Sequence, residues 1–426
     1  MPIILKNAIY IDPESFEFKS SHIEVEEGIK GKIFFHSELP DNSKLKNYEI
    51  IDCKGMLVTK SFAIAHHHAY SALARGMPAP KKTPHNFLEI LKYIWWNIDK
   101  KLDKDMIRAS ALVTALACAK NGVTFVIDHH ASPNFIDNSL EIIAEAFDEV
   151  GISHLLCYEI SDRDGKEIAE KGLAETKSYL RNNQGLVGLH ASFTVNNSTM
   201  KKAADLINEF DSGVHIHVAE DLMDESDCEK KHGKRVIERL NDFGLLNSSK
   251  SILAHCIHLN DNERKIVEQS KAYIVQNTES NLNNKVGFFN SRGLGNNIMI
   301  GTDGMHSDVL RSSKAAFFVG QEFDNISYLS AYERFRNVHN YLKLNNFKGD
   351  EENNLVVIDY DTPTEINSDN FLGHYIFGLE SRQSRHVISS GKLIVKDHKI
   401  QTVDEKEILS FSKIQGNRLF SRLLKE

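Results

Sequence analysis

The chain has 426 residues, 41% hydrophobic and 26% charged, with 24 Gly and 8 Pro, the make-up of a soluble globular protein large enough for two domains of unequal size. Its net charge of -8 comes without any basic concentration, which argues against a nucleic-acid partner and favours a small neutral or polar substrate. MPIILKNAIYID is not a basic-then-apolar leader, no segment reaches a membrane span, and the five scattered cysteines form no CxxC pair; a cytoplasmic protein with reduced thiols and no membrane partner is expected.

Residues 1–58 hold short strand-like pieces, IILKNAIYI and EIIDCKGMLVT. From FAIAHHH (62–68) onward, amphipathic helical stretches alternate with short aliphatic or β-branched runs that end in a polar or titratable residue. These runs are TFVIDHH (124–130), SHLLCYE (153–159), LVGLH (186–190), VHIHVAE (214–220), SILAHC (251–256), AYIVQN (272–277) and NIMIGTDG (297–304). Eight runs with helices between them predict a (β/α)8 TIM barrel over residues 59–351, an α/β fold whose strands end at one rim, where the chemistry should lie. After 352, LVVIDY and HVISSGKLIVKDHKIQTV resume a pattern that, like the N-terminal pieces, looks antiparallel. Residues 1–58 and 352–426 are therefore expected to form one small β-sandwich built from both termini, with a C-terminal helix.

Histidine is the enriched residue, at 20 copies, and it clusters. In AHHHAY, His66 and His68 lie two apart on a strand and point the same way, a chelating pair, while His67 faces away. HIHVAE repeats the pair with His215 and His217 and adds Glu220 three residues on. LAHC ends a strand with His255, and IGTDG ends the last with Asp303. Each motif alone has an ordinary explanation, a structural histidine or a turn. Together, at successive strand ends, they point to a metal. Imidazoles and a carboxylate are the usual ligands of a catalytic zinc that keeps one position open for water; Fe2+ or Mn2+ accepts the same set.

The order of these motifs resembles that of the amidohydrolase superfamily, within it the cytosine deaminase-like hydrolases, and most closely the SsnA aminohydrolases. The resemblance is carried by SALARGM (71–77), WWNID (95–99), VIDHHASP (126–133), CYEISDRDG (157–165), HIHVAED (215–221), NNKVG (283–287) and GTDG. It implies one divalent metal per chain, zinc first, held by His66, His68, His217 and Asp303. It also implies Glu220 as proton shuttle, His255 and Asp303 assisting at the attacking water, and His190 orienting the substrate. The fourth strand ends in His190 and has no lysine, which favours one metal over two. The sequence departs from the family at Lys60-Ser61 and Asn353-Asn354, both outside the metal set.

The activity so implied is hydrolytic deamination of a purine, pyrimidine or related nitrogen heterocycle. The runner-up is hydrolysis of a cyclic amide or aryl chloride, and the third reading is a non-catalytic metal or ligand-binding protein. The expected partners are a small-molecule substrate and further copies of the chain, as a homodimer or higher homo-oligomer. Arg75 and Trp96 are candidate substrate contacts, although a salt bridge competes for Arg75; Trp95 and Trp96 are expected to include one core residue and one lining the pocket, and their helical spacing with Phe87, Leu91 and Ile94 favours a core stripe. Asp128, His129 and His130 read better as a brace under the metal site, and Glu159 as the ion-pair partner of Arg163. Residues 77–87 are a candidate lid.

Overall fold

The computed structural model describes residues 1–41 and 45–425. Strands β1 (Ile3–Ile11), β2 (Phe18–Val25), β3 (Ile33–His36), β4 (Glu49–Asp52) and β5 (Leu57–Lys60) precede the first of the eight expected runs. Those runs fold as β6 (Phe62–His67), β7 (Val123–His130), β8 (Ser153–Tyr158), β9 (Val187–Ala191), β10 (Val214–Val218), β11 (Ile252–His255), β12 (Tyr273–Gln276) and β13 (Ile298–Ile300). Apart from the first two residues of β8 they are buried throughout, as parallel strands covered on both faces must be. They pair in parallel as β6-β7-β8 and β9-β10-β11-β12-β13.

Bridge pairs connect the two sheets at both seams: Leu156 with Gly185 and Ile160 with Leu189 at one, His67 with Asp303 at the other. The first seam depends on Gly188, because a Cβ there would lie 2.3 Å from the Tyr158 carbonyl oxygen. The result is an α/β fold of TIM-barrel type. Its helices bury one stripe each. In Ser139–Val150 the stripe is Leu140, Ile143, Phe147 and Val150, at three- and four-residue spacing, and Gly151 ends the helix at φ 93°.

After the last of these strands come β14 (Leu355–Ile358), β15 (Ser384–Ser389), β16 (Lys392–Lys396) and β17 (Lys399–Ile400). Strand β14 pairs with β5, so both termini contribute to one nine-stranded sheet, ordered β17-β16-β15-β14-β5-β1-β2-β3 with β4 also on β1. The expected antiparallel pattern needs a correction here. One edge of the nine-residue β1 is shared by two later strands, β4 along Ile3–Lys6 and β5 along Ile9–Tyr10, and both run parallel to it. The sheet has its own apolar cluster, including Leu5, Ile23, Val58, Val357 and Ile388.

The two family departures lie where this sheet meets the barrel-type region. Lys60 Nζ donates to the carbonyls of Asp350 and Glu351 at 2.7 and 2.5 Å, and Asn353 Nδ2 donates to those of Glu26 and Gly28, both at 2.8 Å. The C-terminal helix Glu405–Leu424 lies against helix Lys104–Lys120, with Arg418 and Arg422 both on Asp103 at 2.7 and 2.6 Å.

Candidate metal centre and catalytic cavity

Strand ends deliver the site. His66 is the last but one residue of β6 with His68 just past its end, His217 comes from β10, His255 ends β11, and Asp303 follows β13. His66 Nε2 and His68 Nε2 lie 3.3 and 3.1 Å from Asp303 Oδ1, and His68 Nε2 is 3.1 Å from His217 Nε2. Ligand atoms of His66, His217, His255 and Asp303 all fall within 4.8 Å of one another. Close approach of the chain after β13 requires Gly301, whose Cβ would lie 3.0 Å from that of His66 and 2.2 Å from Asn277 Oδ1. The backbone turns sharply at these ends: Ala219, His255, Cys256 and Asp303 have φ of 46°, 75°, 53° and 48°, strain of the kind that gathers at functional sites.

The ring tautomers decide what this cluster can hold. His68 Nδ1 donates to the His129 carbonyl at 2.6 Å, His217 Nδ1 to the His190 carbonyl at 2.8 Å, and His255 Nδ1 to Asn281 Oδ1 at 2.8 Å. Each ring then turns its Nε2 lone pair inward. His66 Nε2 and His255 Nε2 are buried and make no hydrogen bond. Two lone pairs 3.1 Å apart repel unless a proton or a cation lies between them. Burial holds His66 down to about 3 and His217 well below the usual imidazole range. Burial opposes charge on His68 too, but the Asp303 carboxylate prevails and raises it to about 9. Against burial, His66 and His68 keep Asp303 well below the usual carboxylate range. A divalent cation fits this donor set.

His215 completes the second sequence pair without joining the centre. It shares a face with His217 but lies a layer deeper, with Nε2 2.8 Å from His66 Nδ1, because residues two apart on a strand stand over 6 Å apart along it. His67 faces away, onto Thr302 Oγ1 at 2.9 Å. Asp128 and His129 act as the brace: Asp128 Oδ1 accepts from the Ala69 N–H at 2.6 Å, and the His129 carbonyl holds His68. Glu220 Oε2 is 3.5 Å from His255 Nε2, and Asn284 Nδ2 donates to Oε1 at 3.3 Å. Burial raises Glu220 to about 7, against the pull of His255.

Above the cluster lies a cavity open to solvent, walled by aromatic rings on one side and by polar side chains on the other. His190 and Trp96 line it, their rings 5.8 Å apart. Trp95 lines it as well, beside Phe87 and Leu91, so the helical apolar stripe read as core is the cavity's wall. Arg75 is exposed and is not among the lining residues; the cavity's guanidinium is Arg163, 3.2 Å from Glu159, the ion pair expected for these two. Asn284 and Tyr70 also line it. Nothing in the spacing of those two marks them, since each faces the cavity only through the packing of separate βα units. Residues 77–86 run as a loop between the short helices Ala69–Ala74 and Phe87–Ile90.

A cluster of inward-facing imidazoles and a carboxylate at the strand ends of a TIM-barrel-type fold defines a metal-dependent hydrolase class. The chain belongs to the amidohydrolase family, which residues 62–345 match. It is 28% identical over 372 residues to the 5'-deoxyadenosine deaminase of Methanopyrus kandleri, covering 82% of this chain and 83% of that one. It is 25% identical to the 5-methylthioadenosine/S-adenosylhomocysteine deaminase of Thermoanaerobacter pseudethanolicus, over 89% and 91% of the two chains. The zinc-bound adenosine deaminase of Xanthomonas campestris shares the fold, with a TM-score of 0.82, 98% of each chain covered and 16% identity.

Proposed function

We propose that this protein is a metal-dependent aminohydrolase that replaces the amino group of a purine, or a related nitrogen heterocycle, by oxygen and releases ammonia. The observation that carries the reading is the set of inward Nε2 lone pairs facing Asp303, with the non-ligand carboxylate of Glu220 beside them under an aromatic cavity. His66, His68, His217 and Asp303 would hold one divalent ion per chain, Zn2+ first, whose Lewis acidity makes water nucleophilic at neutral pH. His255, whose free Nε2 is near both carboxylates, is the alternative fourth contact or the hydrogen-bond partner of the water.

Glu220 accepts the proton of the attacking water and returns it to the ring nitrogen next to the attacked carbon. The carbon–nitrogen bond then breaks, and the amine leaves as ammonia with the remaining proton. His255 and Asp303 keep the water oriented, and His190 and Trp96 position the ring. A carboxylate lifted to about 7 by burial suits both halves of this transfer.

The same reading takes residues 59–351 as one closed (β/α)8 barrel and residues 1–58 with 352–426 as a β-sandwich domain, supported by the bridge pairs at both seams and the shared sheet. It places the protein in the cytoplasm, supported by five free, buried cysteines. An exposed patch around Phe318, Tyr328 and Phe377 supports a homodimer or higher homo-oligomer.

The test is metal analysis of wild type and His66→Ala, followed by a screen of aminopurines and aminopyrimidines for ammonia. One ion per chain, lost with activity in the variant, and ammonia from an aminopurine are expected. Chloride or a ring-opened acid as product would move the assignment to the runner-up activity. Metal-loaded protein that binds heterocycles without turnover would make it a binding protein.

A further inference from the structure

Arg163 is the one guanidinium or ammonium among the described residues that line the cavity. A substrate carrying a phosphate or carboxylate would have to find its counter-charge there. The fork is already committed on every side. Nη2 donates to Asp99 Oδ2, Nη1 lies 3.2 Å from Glu159 Oε1, Nε donates to Asp164 Oδ2 at 3.1 Å, and the guanidinium carbon sits 5.1 Å from the centre of the Trp96 ring. The Arg163, Asp99 and Glu159 side chains are only 7%, 1% and 3% exposed, so water screens them little.

The charges of this group can be counted. Lys100 pairs with Asp164 at 2.6 Å, so two cations face the three carboxylates Asp99, Glu159 and Asp164. With all three ionised the group carries one net negative charge. Burial raises Asp99 to about 7, and with that carboxyl protonated the sum is zero. With the guanidinium and ammonium alone set against these carboxylates it is positive in neither state; Glu159 Oε2 also has the His129 ring 3.3 Å away on its far side. The other carboxylates of the lining are engaged at the metal-ligand cluster, Asp303 by His66 and His68 and Glu220 by His255, away from Arg163. Trp96, which lines the wall beside Arg163, keeps its Nε1 buried and without a hydrogen bond.

We propose that Asp99 sets the substrate class by cancelling Arg163, so that the cavity takes a neutral nucleoside or base and rejects the same heterocycle carrying an anionic group. The inference rests on the deaminase reading for its substrates but not for its logic. Asp99 does not line the cavity; it acts through Arg163 as a positioning and charge-balancing residue.

The experiment compares adenosine with adenosine 5'-monophosphate on the metal-loaded protein, by kcat/KM for ammonia release and by calorimetric binding. Wild type should prefer adenosine by about 100-fold, because an anion must enter a wall with no free counter-charge. Asp99→Asn, which releases one arm of the fork, should narrow that ratio about tenfold through gain on the monophosphate. Since Asp99→Asn leaves a buried guanidinium short of a partner, Asp164→Asn, at the partly exposed end of the network, is the second variant and should narrow the ratio about threefold. Equal use or binding of the two ligands by wild type, or a ratio unmoved in both variants, overturns the proposal. Preferential binding of adenosine without ammonia release sustains it while the deaminase reading falls, and binding of neither ligand overturns both.

Discussion

Two buried polar regions lie at the same strand-end rim and are built on opposite plans. Behind the rim, Arg239 is 2% exposed and fills its guanidinium entirely from the protein: the carbonyls of Ser192 and Val195 at 2.8 and 2.7 Å, Ser192 Oγ at 2.9 Å and Asn197 Oδ1 at 2.8 Å. It ties down the segment that follows His190. The His66–Asp303 cluster, equally buried, leaves Nε2 atoms without hydrogen bonds and sets two imidazoles against each other. An unmet buried polar group costs about 1–3 kcal/mol. A fold that retains several in one place keeps them for something that binds there, whereas a fully met cation is scaffold.

Substitutions on each side should separate the two plans. The largest effect belongs to Glu220→Gln, which keeps the shape and removes the proton acceptor; kcat should fall by about 10² to 10⁴-fold with metal content unchanged. Loss of the ion on metal analysis would instead make Glu220 a ligand. Its stability should move the other way. The folded pKa of Glu220 is raised to about 7, above its value in an unfolded chain, so stability present in acid is lost as pH rises through 7. Denaturant titration above pH 7 should therefore find Glu220→Gln at least as stable as wild type.

Arg239→Met is the converse, a loss of about 3 kcal/mol in the same titration, because carbonyls it satisfied are left buried. Metal content of the folded fraction should stay at one ion per chain. Unchanged stability would show that the clamp is redundant. The smallest effect is in the pH profile. Below about 7, kcat/KM should fall by up to tenfold per unit as Glu220 takes up a proton, and the limb should be absent from Glu220→Gln. A limb that persists in the variant assigns it to another group.

Sequence reading reached the parts of this molecule that repeat. Each of the eight runs is short, apolar and closed by or near a polar or titratable residue, and each folds as a parallel strand, seven within two residues of their expected bounds and β13 ending at Ile300, four residues before Gly304. Strands β2 and β3 escaped because FKSSHIEV buries only Ile23 and Val25 fully, too weak an alternation to stand out. The metal-cluster residues were legible because their spacing lies within single strands. The wall opposite was not. Asp99 meets Arg163 across 64 positions, and Trp95 follows a helical stripe that reads the same whether it faces a core or a cavity. Arg75 shows the converse: a plausible residue just past a catalytic strand, turned outward by the helix Ala69–Ala74 before it.

The sheet that joins the termini also sets a timetable. Strand β5 pairs with β14 at Leu57 and Ile358, roughly 300 residues later. At ribosomal rates of about 5–20 residues per second, β5 emerges roughly 15 to 60 s before its neighbour exists. For that interval the nascent chain exposes an unpaired edge bearing Leu57 and Val58, open to pairing with another chain. Slow release from the ribosome or a holding chaperone at this stage should therefore affect the yield of folded protein more than any event at the metal centre.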